Sequence, residues 1–123
     1  MDRKYRLLII DDNEEILVSL KSFLTKKDYV VVSASSGLDA LKLFEAATDD
    51  FDLVITDLVM PNISGVAITA IIKKRNQGMP VIAITGYGEQ PEALAREVHA
   101  DLVMEKPFKL DELEKAIKRL LSI

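Results

Sequence analysis

The sequence predicts an α/β domain in which helices cover both faces of a doubly wound, five-stranded parallel sheet. Three observations predict it. Five short apolar runs rich in β-branched residues alternate with five longer segments of helical period. The runs are nearly continuous rather than alternating, as strands covered on both faces require. Polar residues are almost absent inside the runs and collect where the runs end.

In chain order, the first run is Leu7–Ile10, and it closes on Asp11-Asp12. Ile16, Leu20, Phe23 and Leu24 then recur at helical spacing. That segment ends at Lys26-Lys27, where cations favour the negative end of a helix dipole. The second run is Val30–Val32; Ser36, three residues before Asp39, signals the next helix start, with Leu38, Leu41 and Phe44 as its stripe. The third run, Leu53–Ile55, closes on Thr56-Asp57. Ser64 opens a helix carrying Ile68, Ile71 and Ile72 and ending in Lys73-Lys74-Arg75. The fourth run, Val81–Ile84, closes on Thr85; Pro91 suits a first helical turn, with Leu94 and Val98 after it. The fifth, Leu102–Met104, closes on Glu105-Lys106-Pro107. The last stripe, Leu110, Leu113, Ile117, Leu120 and Leu121, is the clearest, and Lys118-Arg119 lies near its end.

The 123 residues suit a single domain over 1–123, with no repeat, linker or low-complexity tract. No apolar run approaches the roughly 20 residues that span a bilayer, and the first apolar run is too short for a signal-peptide core. The expectation is a cytoplasmic protein that engages no membrane. There is no cysteine and one histidine, His99, which removes thiol chemistry and zinc sites built from those residues. Twenty acidic residues against sixteen basic ones give a net charge of -4, without the basic excess that a nucleic-acid-binding surface needs.

In an open parallel sheet all strand carboxyl ends lie along one edge, and ligands bind in the crevice there. The run endings would therefore bring Asp11, Asp12, Asp57, the Thr85 hydroxyl and the Lys106 ammonium around one pocket. Clustered aspartates repel one another unless a cation intervenes. Mg2+ is the natural candidate, a hard ion held by one or two carboxylates plus phosphate oxygens; a softer metal would lack ligands here. A carboxylate beside such an ion can attack a phosphoryl group and form an acyl phosphate. Lys106 and the metal would offset charge on the transferred group, and Thr85 could bond one of its oxygens. The Lys106-Pro107 bond is a candidate for the cis form. Each of these residues also has a plainer use. Asp11-Asp12 could cap a helix. Asp57, Thr85-Gly86 and Lys106-Pro107 could be turn chemistry. His99 reads as structural or surface.

Together, Ile9-Ile10-Asp11-Asp12-Asn13-Glu14, Asp57-Leu58-Val59-Met60-Pro61 with Gly65 beyond, Thr85-Gly86 and Lys106-Pro107-Phe108 resemble the receiver domain of two-component response regulators. The resemblance covers essentially the whole chain. It implies a flavodoxin-like (βα)5 fold with strand order 2-1-3-4-5. It implies Asp57 as phosphoacceptor, with Mg2+ on Asp12, Asp57 and the backbone carbonyl of Val59, and Asp11 reaching the ion mainly through water. Lys106 would pair with the phosphoryl group, and Thr85 would swing toward it after transfer. The implied donor is a phosphohistidine on a sensor histidine kinase or a histidine phosphotransfer protein, sometimes a small acyl phosphate. The domain would promote only its own labelling and hydrolysis, so it would not otherwise be an enzyme. The resemblance implies a downstream effector, whose identity the sequence leaves open, and an output face running from Pro91 through the last helix.

The chain departs from the pattern of that family in three respects. Val103 stands where the fifth strand usually carries an aromatic ring whose rotation couples the pocket to the output face. Either the coupling is weaker, or it runs through the loop Gly86-Tyr87-Gly88, whose glycines permit unusual backbone angles. His99 stands where glycine is usual. Val59 and Tyr87 flank the path of hydrolytic water in such domains, and neither orients water well, which predicts a long-lived phosphoryl-aspartate. Other classes fit less well. An aspartyl-phosphate phosphatase would need an acid where Val59 stands. A flavin or nucleotide binder would need a phosphate-cradling loop where Asp11-Asp12-Asn13 lies. A receiver that works without phosphorylation would have no need of the acidic site.

Overall fold

The structure is a computed structural model that describes residues 4–47, 50–86 and 99–123. Five strands, β1 (Arg6–Ile10), β2 (Val30–Ala34), β3 (Leu53–Asp57), β4 (Val81–Thr85) and β5 (Leu102–Glu105), pair in parallel in the order β2-β1-β3-β4-β5. Four helices are described, α1 (Glu14–Lys26), α2 (Gly37–Ala46), α3 (Gly65–Arg75) and α4 (Leu110–Leu121). The helix expected through Pro91, Leu94 and Val98 lies outside the described residues, as do Tyr87 and Gly88. The strand order is the one implied by the resemblance.

The first four strands divide their side chains between two cores, because successive residues point to opposite faces of a sheet. Leu7, Ile9, Ile55, Ile82 and Ile84 pack against Leu17, Leu20 and Leu24 of α1 and Leu113 and Ile117 of α4. Leu8, Ile10, Val54 and Val81 pack against Ala40 and Phe44 of α2 and Ile68 and Ile72 of α3. Every residue of β3 and β4 is buried, which is why those runs contain no alternation. β5, with only one neighbouring strand, keeps Leu102, Val103 and Met104 half-buried.

Side-chain caps start three helices. Asn13 accepts from the amides of Glu15 (3.0 Å) and Ile16 (3.3 Å), Ser36 from Asp39 (3.2 Å) and Ser64 from Ala67 (3.2 Å). Each such cap stabilises its helix by about 1 kcal/mol. The α2 stripe differs from expectation at one place: Leu38 is 54% exposed, and the helix buries Gly37, Ala40 and Phe44. Gly37 lies so close to Ile63 and Ile68 that it sets the rotation of the helix, which turns the next residue to solvent. α1 buries Leu17 rather than Ile16, which is half-buried. His99, read as standing at a glycine position, holds the left-handed conformation at φ 60°. Among the described residues no helix is long and apolar enough to cross a membrane.

Candidate functional site

Strand register assembles the site. Ile10 pairs with Thr56, Asp57 with Ile84, and Thr85 with Glu105, so residues 11, 57, 85 and 106 fall along one edge of the sheet. Asp57 is the last residue of β3 and 7% exposed. Asp11 follows β1, is 2% exposed, and its amide donates to the carbonyl of Ala34 (3.2 Å). Asp12 is exposed. One carboxylate oxygen from each of the three lies within 4.8 Å of the others. Lys106 follows β5, anchored by its amide on the Thr85 carbonyl (2.8 Å). Its Nζ stands 3.4 Å from Asp11 Oδ2 and 3.6 Å from Asp57 Oδ2. The Lys106-Pro107 bond is cis.

The plainer use of Asp11-Asp12 does not hold, since Asn13 caps α1. Asp11 Oδ1 instead accepts from the Asn13 amide (2.9 Å), which fixes the carboxylate and leaves Oδ2 for the pocket. Asp57 Oδ1 accepts a long bond from the Val59 amide (3.4 Å). Burial holds the Asp57 carboxyl above its ordinary pKa, and the neighbouring Asp11 charge raises it further, with a smaller push from Asp12. Lys106 and the Val59 amide pull the other way without cancelling the rise. Among the described residues three carboxylates thus face one ammonium, and these groups are short of positive charge. The donors are all oxygen and two of them are buried, a set that suits Mg2+.

Two threonines finish the strands. Thr85 is fully buried, and its hydroxyl donates to the Gly86 carbonyl (3.3 Å), so in this state it is turned onto the backbone rather than into the acidic cluster. Thr56, also fully buried, donates to the Asp57 carbonyl (2.9 Å). Val59 is 62% exposed beside the pocket, whereas Tyr87, its expected companion, lies outside the described residues.

Gly65 explains its own place in the motif. A Cβ there would lie 2.7 Å from Leu58 Cα and 2.8 Å from the carbonyl carbon of Asp57, with the Asp57 carbonyl oxygen nearer still. The Gly65 amide donates to the Leu58 carbonyl (3.0 Å). The first residue of α3 therefore rests on the peptide that carries Asp57, and only glycine leaves room. Sequence reading missed a clamp at the opposite edge of the sheet. Lys73 Nζ bonds the Met79 carbonyl (2.7 Å) and Asp101 Oδ2 (2.6 Å), and that oxygen also accepts from the Val81 amide (2.8 Å). The partners are 28 residues apart, and nothing local in the sequence links them.

The sequence profile of the response regulator receiver domain matches residues 7–118. The chain is 31% identical over 117 residues to the alkaline phosphatase synthesis transcriptional regulatory protein PhoP of Bacillus subtilis, a match covering 94% of this chain and 48% of the relative. The chain spans about half the length of the transcriptional regulators it matches. A response regulator receiver domain protein from Clostridium thermocellum superimposes with TM-score 0.90 at 34% identity, over 96% of this chain and 94% of that one. Response regulator TrrA from Thermotoga maritima, solved in complex with Mg2+-BeF, superimposes with TM-score 0.84 at 35% identity, over 95% of this chain and 99% of that one.

Proposed function

The chain belongs to the response regulator receiver domain family, and on that footing we propose that Asp57 accepts a phosphoryl group from a phosphohistidine donor in a Mg2+-dependent reaction and thereby switches a partner-binding surface. The observation that carries the reading is the meeting of three carboxylates and one ammonium at the carboxyl edge of the sheet, with Lys106 Nζ 3.6 Å from Asp57 Oδ2. The Mg2+-BeF complex of TrrA supports the same ion for this chain.

Asp57 is the nucleophile. One of its carboxylate oxygens bonds phosphorus while the bond from phosphorus to the donor nitrogen breaks, and the electron pair stays on that nitrogen, which takes up a proton. Asp12, Asp57 and the Val59 carbonyl would hold Mg2+, with Asp11 acting mainly through water; the bound ion supplies neutralising charge for the transferring group. Lys106 faces the Asp57 carboxylate and would offset charge on the oxygens of the transferring phosphoryl group. Thr85 can exchange its long bond to Gly86 for one to a phosphoryl oxygen. Val59 offers no proton to the product, so the domain promotes its own labelling and hydrolysis and turns over no other substrate.

The donor is carried by a sensor histidine kinase or a histidine phosphotransfer protein in the cytoplasm. An apolar cleft of about 440 Å³ beside Lys106, lined by Ile16, Leu20, Pro107 and Phe108 among others, gives that partner a surface on which to seat its histidine. The test is incubation with a small acyl phosphate and Mg2+, with intact-mass measurement of the product. The wild type gains one phosphoryl group and Asp57→Asn gains none. A wild type that gains no mass, or a variant that labels equally, would end the reading.

A further inference from the structure

We propose that α3 carries the state of Asp57 across the domain to the turn at His99–Asp101, giving the domain a second output surface at the amino edge of β4 and β5. The proposal rests on the phosphorylation reading above and adds the route by which the signal leaves the site.

The near end of α3 has no slack. Gly65 lies against the Asp57-Leu58 peptide with no room for one more carbon, and its amide is bonded to the Leu58 carbonyl. Leu58, 3% exposed, packs in a small cluster with Ala83, Val66 of the first turn of α3, Val103 of β5, and Ala100 beside His99. When the Asp57 carboxylate becomes an acyl phosphate it loses charge on the oxygens that face the Val59 amide and Lys106, and the new group takes up the space between them. Residues 58 and 59 must then re-seat, and Gly65 and Val66 move with them.

The helix transmits that shift because its far end is tied as tightly. Lys73 lies eight residues beyond Gly65, roughly 12 Å along the axis. Its side chain is 18% exposed, and its amine joins three segments: α3, the Met79 carbonyl before β4, and Asp101 before β5. Asp101 is held in turn by the Val81 amide and donates its own amide to the Val81 carbonyl (2.9 Å). A charge-assisted bond of 2.6 Å is at the short end of its range. A slip of about 1 Å, ordinary for packed helices, therefore pulls Asp101 with it or breaks the bond. His99 stands two residues before Asp101 in a left-handed conformation. With Lys73, Lys74 and Gln77 it lines a cleft of about 590 Å³, and movement of the clamp reshapes that cleft. Val103 removes one competing route: a β-branched side chain has no large swing in χ1 with which to relay the change through β5.

The chain has one histidine, so His99 gives a single, unambiguous resonance at the far end. The experiment follows the His99 Hε1 resonance of untagged protein by NMR as Mg2+ and beryllofluoride, a phosphoryl stand-in, are added, with the 19F signal of bound fluoride measuring loading. The wild type loads and the His99 resonance moves. In Lys73→Met the protein loads and the movement is lost; in Val66→Ala, which loosens the near end without touching the clamp, it shrinks. Linkage adds a reciprocal reading, a change of about fivefold or more in beryllofluoride affinity for Lys73→Met. A loaded wild type with a stationary His99 resonance overturns the proposal and leaves the phosphorylation reading intact. A movement that survives both substitutions also overturns it, because the signal then reaches His99 by another path. Failure to load overturns the phosphorylation reading and this proposal with it.

Discussion

Gly65→Ala should damage phosphorylation far more than it damages the fold. Replacing glycine with alanine in a helix ordinarily stabilises by about 0.4–1 kcal/mol. Here the new methyl would lie 2.7 Å from Leu58 Cα and 2.8 Å from the Asp57 carbonyl carbon, against the roughly 3.5–4.0 Å that two carbons prefer. Both neighbours are backbone, so no side chain can swing aside, and α3 and the Asp57 peptide must separate by about 1 Å. Overpacking of this kind costs about 1–3 kcal/mol, and the propensity gain offsets only part of it. A nucleophile misplaced by about 1 Å can lose about 100-fold in rate, and the Asp57 carboxylate sits on the peptide that moves. The assay is an intact-mass time course with a small acyl phosphate and Mg2+, run beside a thermal melt. The expected result is a folded protein with a lower Tm and labelling slowed by about two orders of magnitude. A variant that labels at the wild-type rate would refute the claim that this contact positions Asp57.

Other perturbations read other parts of the site. Without Mg2+, Asp57→Asn should melt above the wild type at neutral pH. Asp57 has its folded pKa raised above the ordinary value of 3.8, so its contribution is fully present below that value and is lost as pH rises through the raised one. The gap in Tm between the two proteins should therefore close as pH falls below about 4, and an equal or lower melt for the variant at neutral pH would contradict the crowding of Asp11, Asp12 and Asp57. Lys106→Met removes the ammonium that stands 3.6 Å from Asp57, and labelling by acyl phosphate should slow by about 10²–10³-fold, measured by mass at saturating Mg2+. Val59→Asn puts a group that can orient water where an exposed apolar side chain stands; phosphate release timed after donor removal should quicken, and an unchanged decay would show that Val59 does not guard the linkage.

Most of this architecture could be read from the chain because local rules fixed it. β3 and β4 are buried throughout, and apolar until their last one or two residues, because both faces are covered, and α2 and α3 begin where Ser36 and Ser64 supply the missing acceptor. The acidic edge was legible for a topological reason: parallel strands all end on one side, so the residues just past each apolar run come together there. Strand order was different in kind. Periodicity says nothing about which strand neighbours which, and the order came with the family resemblance. Leu38 misled because spacing gives a stripe without its rotation, and the close seat of Gly37 on Ile63 sets that rotation. The cap of α1 was left open for another reason: Asp11, Asp12 and Asn13 are all good caps, and the choice of Asn13 depends on strand register, which places Asp11 inside the pocket. Lys73 and Asp101 stayed hidden because an ion pair between distant segments leaves no periodic trace.

The site is built at an electrostatic deficit, and magnitudes decide how such a site can act at a distance. A phosphoryl group adds negative charge at Asp57, so the simplest route to the far edge would be its field. Two unit charges 12 Å apart at an effective dielectric of 20 interact by about 1.4 kcal/mol. The acyl phosphate carries about two charges where the carboxylate carried one, so the net gain is about one charge, and salt, whose screening length is about 8 Å, reduces its effect. Driving a two-state element from 1:99 to 99:1 takes about 5.5 kcal/mol. The pairing of Lys73 with Asp101 weakens the field's grip further, since a shift that attracts one partner repels the other. Field alone falls short. Contact does not face the same limit, because packed interfaces resist compression steeply and a sub-ångström change at one end must appear at the other. The chain supplies such a contact where Gly65 meets the Asp57-Leu58 peptide. On these magnitudes charge sets the state of the pocket, and packing through α3 conveys it.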